Sequence, residues 1–484
     1  MKKKLSTVVF LILFSGFTFS GFAAQAETDT MPLSLENCIK AGLMNNFDVK
    51  VSKINLEIKE QEIIKKESDF DPEINISAGR NFSHLSSSQN FADISASKKF
   101  KTGTDIELSH GINKTGSGSN GNSSYNSDLE LRVSQPLLKN AGKEANTLNL
   151  KLEYNNKIIS ENDLNDKIMS LCADIEKKYW DMVYYEDLLE VRKQNLKLAE
   201  DLLENNKKQV ELGSLAPVEI TRAAAGAASR EEGIITAENN LNGIRDELLY
   251  LMNIEEKTIK MNGKIHSTDK PEIIESVPEL KESVDFAFLN LPEYLSFKKK
   301  LENSSLKLKY YKNQELPSLD LETTFKLNGM EGEWDKSYSE MQEYDNTSWS
   351  VRFGFKIPIG NRFNKAVLNQ EKLNNSQLLL QFKQLEQSII LNIKSKIREI
   401  EATIKRIASA KKTLELAEEN YKIELKRFEL NQTTTYDLLE FQEDLIEARA
   451  NLLKAVIDNQ KAVSEYRLVS GKILIDSGSQ KKSN

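Results

Sequence analysis

Side chains that could do chemistry are few in this chain and lie far apart. The three histidines, His84, His110 and His266, fall in three unrelated segments, and Cys38 and Cys172 stand alone with no C-x-x-C spacing. A structural metal needs several thiolate or imidazole ligands at short, repeated spacings. A nucleophile needs a base within hydrogen-bond reach and a third group to orient it. Neither can be assembled here, which argues against an enzyme and against a metal or cofactor. In an oxidising compartment the two thiols could pair, provided their helices are neighbours. Gly116-Ser117-Gly118-Ser119-Asn120-Gly121 has the form G-x-G-x-x-G, but a polar tract surrounds it and no helix opens at its end, so it reads as a loop.

The acids with the most suggestive spacing are Asp437 and Glu440, three residues apart on one helical face. Such a pair can project into a narrow space, or it can complement the helix dipole in a first turn, or simply face solvent. Glu219 and Arg222 hold the same relative positions earlier in the chain with one charge reversed, and could pair with neighbouring helices. Each pair follows an interruption of a helical pattern. The first is Leu212-Gly213-Ser214-Leu215-Ala216-Pro217 and the second Leu430-Asn431-Gln432-Thr433-Thr434-Thr435. Gly, Pro and a Thr run are helix punctuation. Asn431 stands where the first interruption has Gly213, and Asn tolerates the left-handed conformation that such a turn requires.

These turns sit in a chain that repeats its own plan. At an offset of 245, Asn45-Asn46-Phe47-Asp48-Val49 aligns with Asn290-Leu291-Pro292-Glu293-Tyr294, and Pro72 with Pro317. At an offset of 218, Leu198-Ala199-Glu200 through Asn253 lies on Leu416-Ala417-Glu418 through Gly471 without a gap. Each half reads as a helix (33–68 and 279–313), a β segment (72–138 and 317–358) and two very long helices broken once. The repeats are therefore 27–253 and 279–471, with a linker at 254–278 and a tail at 472–484. Leu164, Ile168, Leu171 and Ile175 recur at four, three, four, and Leu414, Tyr421, Leu425 and Phe428 at seven, four, three, which are coiled-coil-like seams. A helix from Ala141 to Glu211 would be roughly 105 Å long at 1.5 Å per residue, more than a globular domain needs.

In the β segments Leu129, Leu131 and Val133 alternate with Glu130 and Arg132, and Val351, Phe353, Phe355 and Ile357 with Arg352, Gly354 and Lys356. A barrel strand with lipid outside and water inside demands this pattern. A soluble antiparallel sheet with one wet face gives it too. Polar segments at 114–126 and 329–346 suit long loops on one side. Pro72 to Pro136 spans 64 positions and Pro317 to Pro358 spans 41, so the first segment is 23 longer. It also holds a turn-like Lys101-Thr102-Gly103 between two further alternating runs, which leaves room for an additional hairpin. Trp334, Tyr338, Tyr344 and Trp349 approach the last strand as an interfacial aromatic belt or as loop packing. Tyr179, Trp180, Tyr184 and Tyr185 read as core.

At the N-terminus Lys2, Lys3 and Lys4 precede an apolar stretch that ends at Ala24-Gln25-Ala26, the form of a secretory signal peptide covering 1–26. Cleavage after Ala26 is expected, and with no cysteine at the new N-terminus no lipid anchor is expected. Beyond it the apolar runs are short, so membrane passage would have to be as a β-barrel. Loss of three lysines takes the formal charge from −7 to −10, and no basic run points to nucleic acid.

From Leu33 to Gly471 the chain resembles the TolC-type outer-membrane efflux proteins. The resemblance is carried by Leu43-Met44-Asn45-Asn46-Phe47-Asp48 with its repeat Pro292-Glu293-Tyr294, by Ser134-Gln135-Pro136-Leu137-Leu138, and by Phe355-Lys356-Ile357-Pro358-Ile359-Gly360. It implies a mainly α fold with transmembrane β. Each subunit of a homotrimer would give four strands to one twelve-stranded β-barrel in the outer-membrane lipid of a Gram-negative bacterium. Its long helices would form a coiled-coil periplasmic tunnel closed at the far tip. The resemblance further implies that Asp437 and Glu440 constrict the pore. Leu212, Gly213, Ser214, Leu215, Ala216, Pro217, Asn431, Gln432 and Thr433 would meet a periplasmic adaptor (membrane fusion) protein. An inner-membrane efflux pump or ABC transporter would drive export. Two other readings compete. A periplasmic adaptor carries one hairpin flanked by split β domains, and a secreted coiled-coil or adhesin-like protein would explain the heptads but not the doubled β segments.

Overall fold

The computed structural model describes residues 30–82, 88–116, 123–254, 264–343, 346–430 and 432–473. The expected signal peptide, His84, Tyr344, Asn431 and residues 117–122 of the glycine-rich loop lie outside them. The chain opens with β1 (Thr30–Leu33), followed by α1 (Leu35–Asn45) and α2 (Phe47–Glu67). The single helix expected over 33–68 is thus two. Asn46 divides them because its side-chain oxygen caps α2, accepting from the amides of Asp48 at 2.9 Å and Val49 at 3.3 Å.

Four strands come next: β2 (Glu73–Asn81), β3 (Ser88–Lys99), β4 (Asp105–Gly116) and β5 (Ser123–Pro136). The short α3 (Gly142–Asn146) then leads into α4 (Leu148–Glu211), whose 64 residues span about 96 Å. A tight turn reverses the chain into α5 (Val218–Met252), and β6 (Lys264–Ser267) pairs in parallel with β1.

The second half follows the same order with fewer strands. It comprises α6 (Leu280–Asn290), α7 (Pro292–Gln314), β7 (Ser318–Glu331), α8 (Trp334–Gln342), β8 (Thr347–Lys356), α9 (Arg362–Glu429) and α10 (Thr435–Ser470). The helix expected over 279–313 also divides, at Pro292, which occupies the first turn of α7 where its missing N–H costs nothing.

The strands β2-β3-β4-β5-β7-β8 form one antiparallel sheet in that order. Six strands among the described residues replace the four that the resemblance implied. The surplus is the β3–β4 hairpin, built from the two extra alternating runs. It turns at Phe100–Thr104, where the Phe100 amide bonds the Thr104 carbonyl at 2.8 Å and Gly103 takes φ 90°. A side chain would be strained at that angle.

The register gathers the two halves of the alternation onto two faces. One carries Ile74 and Ile76, Ile94, Leu108, Leu131, Phe325, and Trp349, Val351, Phe353 and Phe355, all of them exposed. The other carries ion pairs: Arg132 with Glu130 of its own strand at 2.8 Å, and across strands Arg132 with Glu107 at 3.7 Å, Lys326 with Asp128 at 3.4 Å and Arg352 with Glu322 at 3.8 Å. An apolar face this wide, bare except where α8 covers one end, is what lipid contact requires. No helix among the described residues is long and apolar enough to cross a membrane.

Below the sheet the helices form a layer four wide. Next to the strands it is made of α2, α4, α7 and α9, and further down α5 and α10 pack beside α4 and α9. The apolar core is concentrated between these levels. There Cys38, Tyr179, Met182 and Leu248 form one cluster, and Met169, Tyr294, Ile393, Ile400 and Tyr466 another. Tyr179, Trp180, Tyr184 and Tyr185 all belong to the first cluster or pack on it. The Tyr179 hydroxyl lies 2.8 Å from Asp269 Oδ2 and accepts the Thr268 and Asp269 amides at 3.2 Å. Burial pushes its pKa up to about 12. The linker is strapped on by Asn459, which accepts the Ile274 amide at 3.1 Å and donates to Thr403 Oγ1 at 3.0 Å. Cys38 and Cys172 are both free and buried, and burial holds each thiol at a pKa of about 12.

Candidate functional site

The far ends of the two hairpins are built on one pattern. At the first, α4 stops because Gly213 takes φ 77°, the left-handed conformation that closes a helix. The Ser214 amide then reaches back to the Gln209 carbonyl at 2.8 Å and the Gly213 amide to Val210 at 3.0 Å. These are the paired bonds of a Schellman motif. At the second tip the Gln432 amide bonds the Arg427 carbonyl at 2.8 Å, the same bond displaced by 218 positions. Leu212, before Gly213, faces solvent at 80% exposure, and Leu430, 218 positions on, at 67%. Ser214, Ala216, Pro217 and Gln432 are exposed beside them, with Leu215 and Thr433 half-buried.

Asp437 sits in the first turn of α10 and is engaged there. Its Oδ2 accepts from the Thr434 amide at 3.2 Å and from the hydroxyls of Thr434 at 2.8 Å and Thr433 at 3.0 Å. The Thr434 hydroxyl in turn caps the Asp437 amide at 3.3 Å, completing a capping box. The hydrogen bonds from Thr434, its amide and Thr433 hold the carboxyl below the usual aspartate value. That is the opposite of the upward shift which a crowd of like charges would produce. Glu440, one turn on, is exposed. Glu219 and Arg222 do not reach to other helices: they pair with each other at 2.8 Å. Glu424 and Arg427 make the same pair at 2.8 Å on α9.

What ties the hairpins together near the tips is a set of buried polar residues absent from the sequence reading. Asn206 of α4 donates to the Glu219 carbonyl of α5 at 3.3 Å and to Thr435 Oγ1 of α10 at 2.9 Å. Higher up, Arg230 of α5 is 8% exposed. Its Nε donates to Asn195 Oδ1 of α4 at 3.1 Å, and its Nη2 to the Leu439 carbonyl at 3.3 Å and Gln442 Oε1 at 3.4 Å of α10. Asn195 also donates to Glu443 at 3.4 Å, and Arg192 to the same carboxylate at 3.2 Å. Burial holds the Arg230 pKa below the ordinary arginine value. Asn195, Ala199, Leu202 and Asn206 are buried at spacings of four, three and four. They form a heptad seam with an amide at each end, and that signal is visible in sequence. The apolar core at this level shrinks to Leu202, Phe428 and Leu438. Three buried acceptors, Asn206 Oδ1, Gln209 Oε1 and Glu219 Oε2, have no hydrogen-bond partner among the described residues.

No cluster of metal-ligating side chains occurs among the described residues. His110 bonds the Asp128 carbonyl at 2.8 Å within the sheet, and His266 lies 3.2 Å from Glu186. Trp334 and Tyr338 of α8 stack at 6.0 Å, with His110 of β4 edge-on to Tyr338. Ser337 bonds Ser127 at 3.0 Å on the apolar face, so α8 lies across that face at the end remote from the helices.

Two helical hairpins, each with one arm of about 100 Å, hanging from an antiparallel sheet with a lipid-type face define the fold class, that of the TolC-type channels. The comparisons agree. Residues 38–253 match the sequence profile of the family described as outer membrane efflux protein. The outer-membrane channel OprN covers 90% of this chain and 90% of its own at 15% identity, with a TM-score of 0.68. The Campylobacter jejuni CmeC outer membrane channel covers 90% and 85% at 15% identity, TM-score 0.67. The open state of the Neisseria gonorrhoeae MtrE outer membrane channel covers 91% and 89% at 16% identity, TM-score 0.64. At these identities the likeness is one of fold, and it spans both repeats. No curated protein sequence matches. The family profile thus matches the first repeat, and the fold likeness extends over both.

Proposed function

We propose that this chain is one subunit of a trimeric exit duct. Its sheet lies in the outer membrane of a Gram-negative bacterium and its hairpins extend through the periplasm. The tips meet a periplasmic adaptor, and an inner-membrane pump or ABC transporter supplies the cargo and the driving force. The observation that carries this reading is the pairing of a bare apolar sheet face with two hairpins whose packing thins toward their tips. A channel that opens at its tips needs its weakest packing there, because local opening is cheapest where few apolar contacts are lost. The polar seam and its three unpartnered acceptors fit that need. Leu212 and Leu430, exposed at matching positions, suit an adaptor that packs on both tips alike. The two hairpins hang from one sheet, whereas a periplasmic adaptor carries a single hairpin, and a structural coiled coil has no use for a lipid-type face.

The gate on this reading is at the α10 tips, with Asp437 and Glu440 of three subunits around the constriction. Asp437 is held ionised by its cap and fixes the start of α10, while the exposed Glu440 is free to face the lumen. Single-channel recording in planar bilayers tests the assignment. The closed wild-type trimer should be cation-selective and blocked by multivalent cations from the tip side. Asp437→Asn, Glu440→Gln should weaken both properties with the trimer intact. Unchanged selectivity and block would move the gate elsewhere. Recovery of the mature chain as a soluble monomer, not a detergent-soluble trimer from outer membranes, would sink the duct itself.

A further inference from the structure

We infer that the barrel has eighteen strands, six from each chain, with the β2 edge of one copy pairing with β8 of the next. This rests on the trimeric duct proposed above but sets a quantity which that reading leaves open. Both edges of the sheet are bare: β2 and β8 are exposed along nearly their whole length. Each offers a row of unpaired amides and carbonyls. Soluble proteins blunt such an edge with proline, bulges or inward charges. Here β8, Thr-Ser-Trp-Ser-Val-Arg-Phe-Gly-Phe-Lys, is ten residues long and keeps its apolar alternation unbroken. Lipid cannot satisfy backbone groups, so a sheet in a membrane must close. The sheet of one chain is open, and a second copy of the same sheet is the occupant whose edges match. With six strands per chain the two edges run in opposite directions, so β2 meets β8 antiparallel, as its neighbours already pair. The lengths agree too: nine and ten residues at about 3.4 Å, tilted by about 40°, rise roughly 25 Å, the height of an outer-membrane apolar band.

The width of the helical layer argues for keeping all six strands in the wall. Strands about 4.8 Å apart and tilted by about 40° each occupy roughly 6.3 Å of circumference, so six cover about 38 Å. Four helices at 8–10 Å cover about 32–40 Å. Six strands per chain therefore subtend the same arc as the four-helix layer beneath them, and four strands would cover only about 25 Å by the same reckoning. In this protein the surplus hairpin lets the wall rise from tunnel to barrel without narrowing, and the opening in the membrane is about half as wide again as twelve strands would give.

Cysteine pairs across the new seam test the closure in native outer membranes. Ser77 on β2 and Ser348, Ser350 and Arg352 on β8 share the polar face. Ser77→Cys is combined with each of Ser348→Cys, Ser350→Cys and Arg352→Cys, since the register between copies is set by their contact. Oxidation should join at least one pair into dimers and trimers on non-reducing gels, while chains with only one introduced cysteine beside the buried Cys38 and Cys172 stay uncrosslinked. The barrel rim seen by electron microscopy in nanodiscs should match the width of the tunnel below it. A trimer by native electrophoresis that crosslinks in none of the pairs, or shows a rim markedly narrower than the tunnel, would overturn eighteen strands and leave the duct standing. Crosslinked assemblies of only two copies would overturn it as well. Absence of any membrane-bound oligomer would instead refute the duct.

Discussion

The Arg230 network offers the sharpest way to weigh the tip. Replacing Arg230 by Met keeps much of the stem's volume but removes the donors that join α5 to Asn195 of α4 and to Leu439 and Gln442 of α10. The buried side-chain acceptors Asn195 Oδ1 and Gln442 Oε1 then lose this donor, and each buried acceptor left unmade costs about 1–3 kcal/mol. Relief of burying the guanidinium offsets part of that, leaving a net of about 2–3 kcal/mol. If the tip opens by parting α5 from α10, the closed-to-open ratio falls roughly 30- to 150-fold, at tenfold per 1.4 kcal/mol. Hydrogen exchange should report it as lost protection of amides from Ile220 to Arg230, and planar bilayers as a raised resting conductance. The trimer should persist, because the main core lies nearer the sheet. Wild-type protection and wild-type conductance in Arg230→Met would refute the idea that this polar seam holds the tip shut.

Three further outcomes follow from other sites. Gly213→Val should cost about 2 kcal/mol of local stability, since φ is 77° but nothing lies within 4 Å of an added Cβ; Gly213→Asn should be nearly silent, and adaptor crosslinking of the two variants would separate backbone strain from surface change. Tyr179→Phe should lower the thermal midpoint by an amount worth about 1–3 kcal/mol, because the Thr268 and Asp269 amides lose their buried acceptor. Asp437 has a folded pKa below the ordinary aspartate value, so its contribution is complete above that ordinary value and is lost as the pH falls through the lowered folded one. Hydrogen exchange corrected for intrinsic rates should show the first turn of α10 fraying in acid, and Asp437→Asn should flatten that pH dependence.

Much of the architecture is legible in the sequence because the elements are long and periodic. Seams spaced at three and four residues can only be helices of that length, and the extra hairpin shows in the 23 surplus positions around Lys101-Thr102-Gly103. The helix breaks were within reach: Asn46 before Phe47 is a capping residue and Pro292 a first-turn residue, but a continuous apolar pattern on either side hides a break that needs only one residue. Thr434-x-x-Asp437 is likewise a capping signature. It was overshadowed by the spacing from Asp437 to Glu440, which looks the same whether a carboxylate faces a pore or its own helix end.

The polar seam marks where sequence reasoning stops for a physical reason. That Asn195 and Asn206 lie on a buried heptad stripe follows from their spacing with Ala199 and Leu202. That they meet Arg230 and Thr435 does not, because Asn206 and Thr435 are 229 positions apart and their height along the hairpins depends on the lengths of α4, α9 and both turns. A shift of one residue in either turn would move a side chain about 1.5 Å along its helix and rotate it by about 100°, enough to break a 2.9 Å contact. The matched bonds to the Gln209 and Arg427 carbonyls end α4 and α9 in the same way, and the next helices begin after six residues (212–217) and five (430–434). The buried polar contacts near the tips thus depend on where both turns place the helices, and a single insertion beside Gly213 or Gln432 should disrupt them as effectively as removing Arg230.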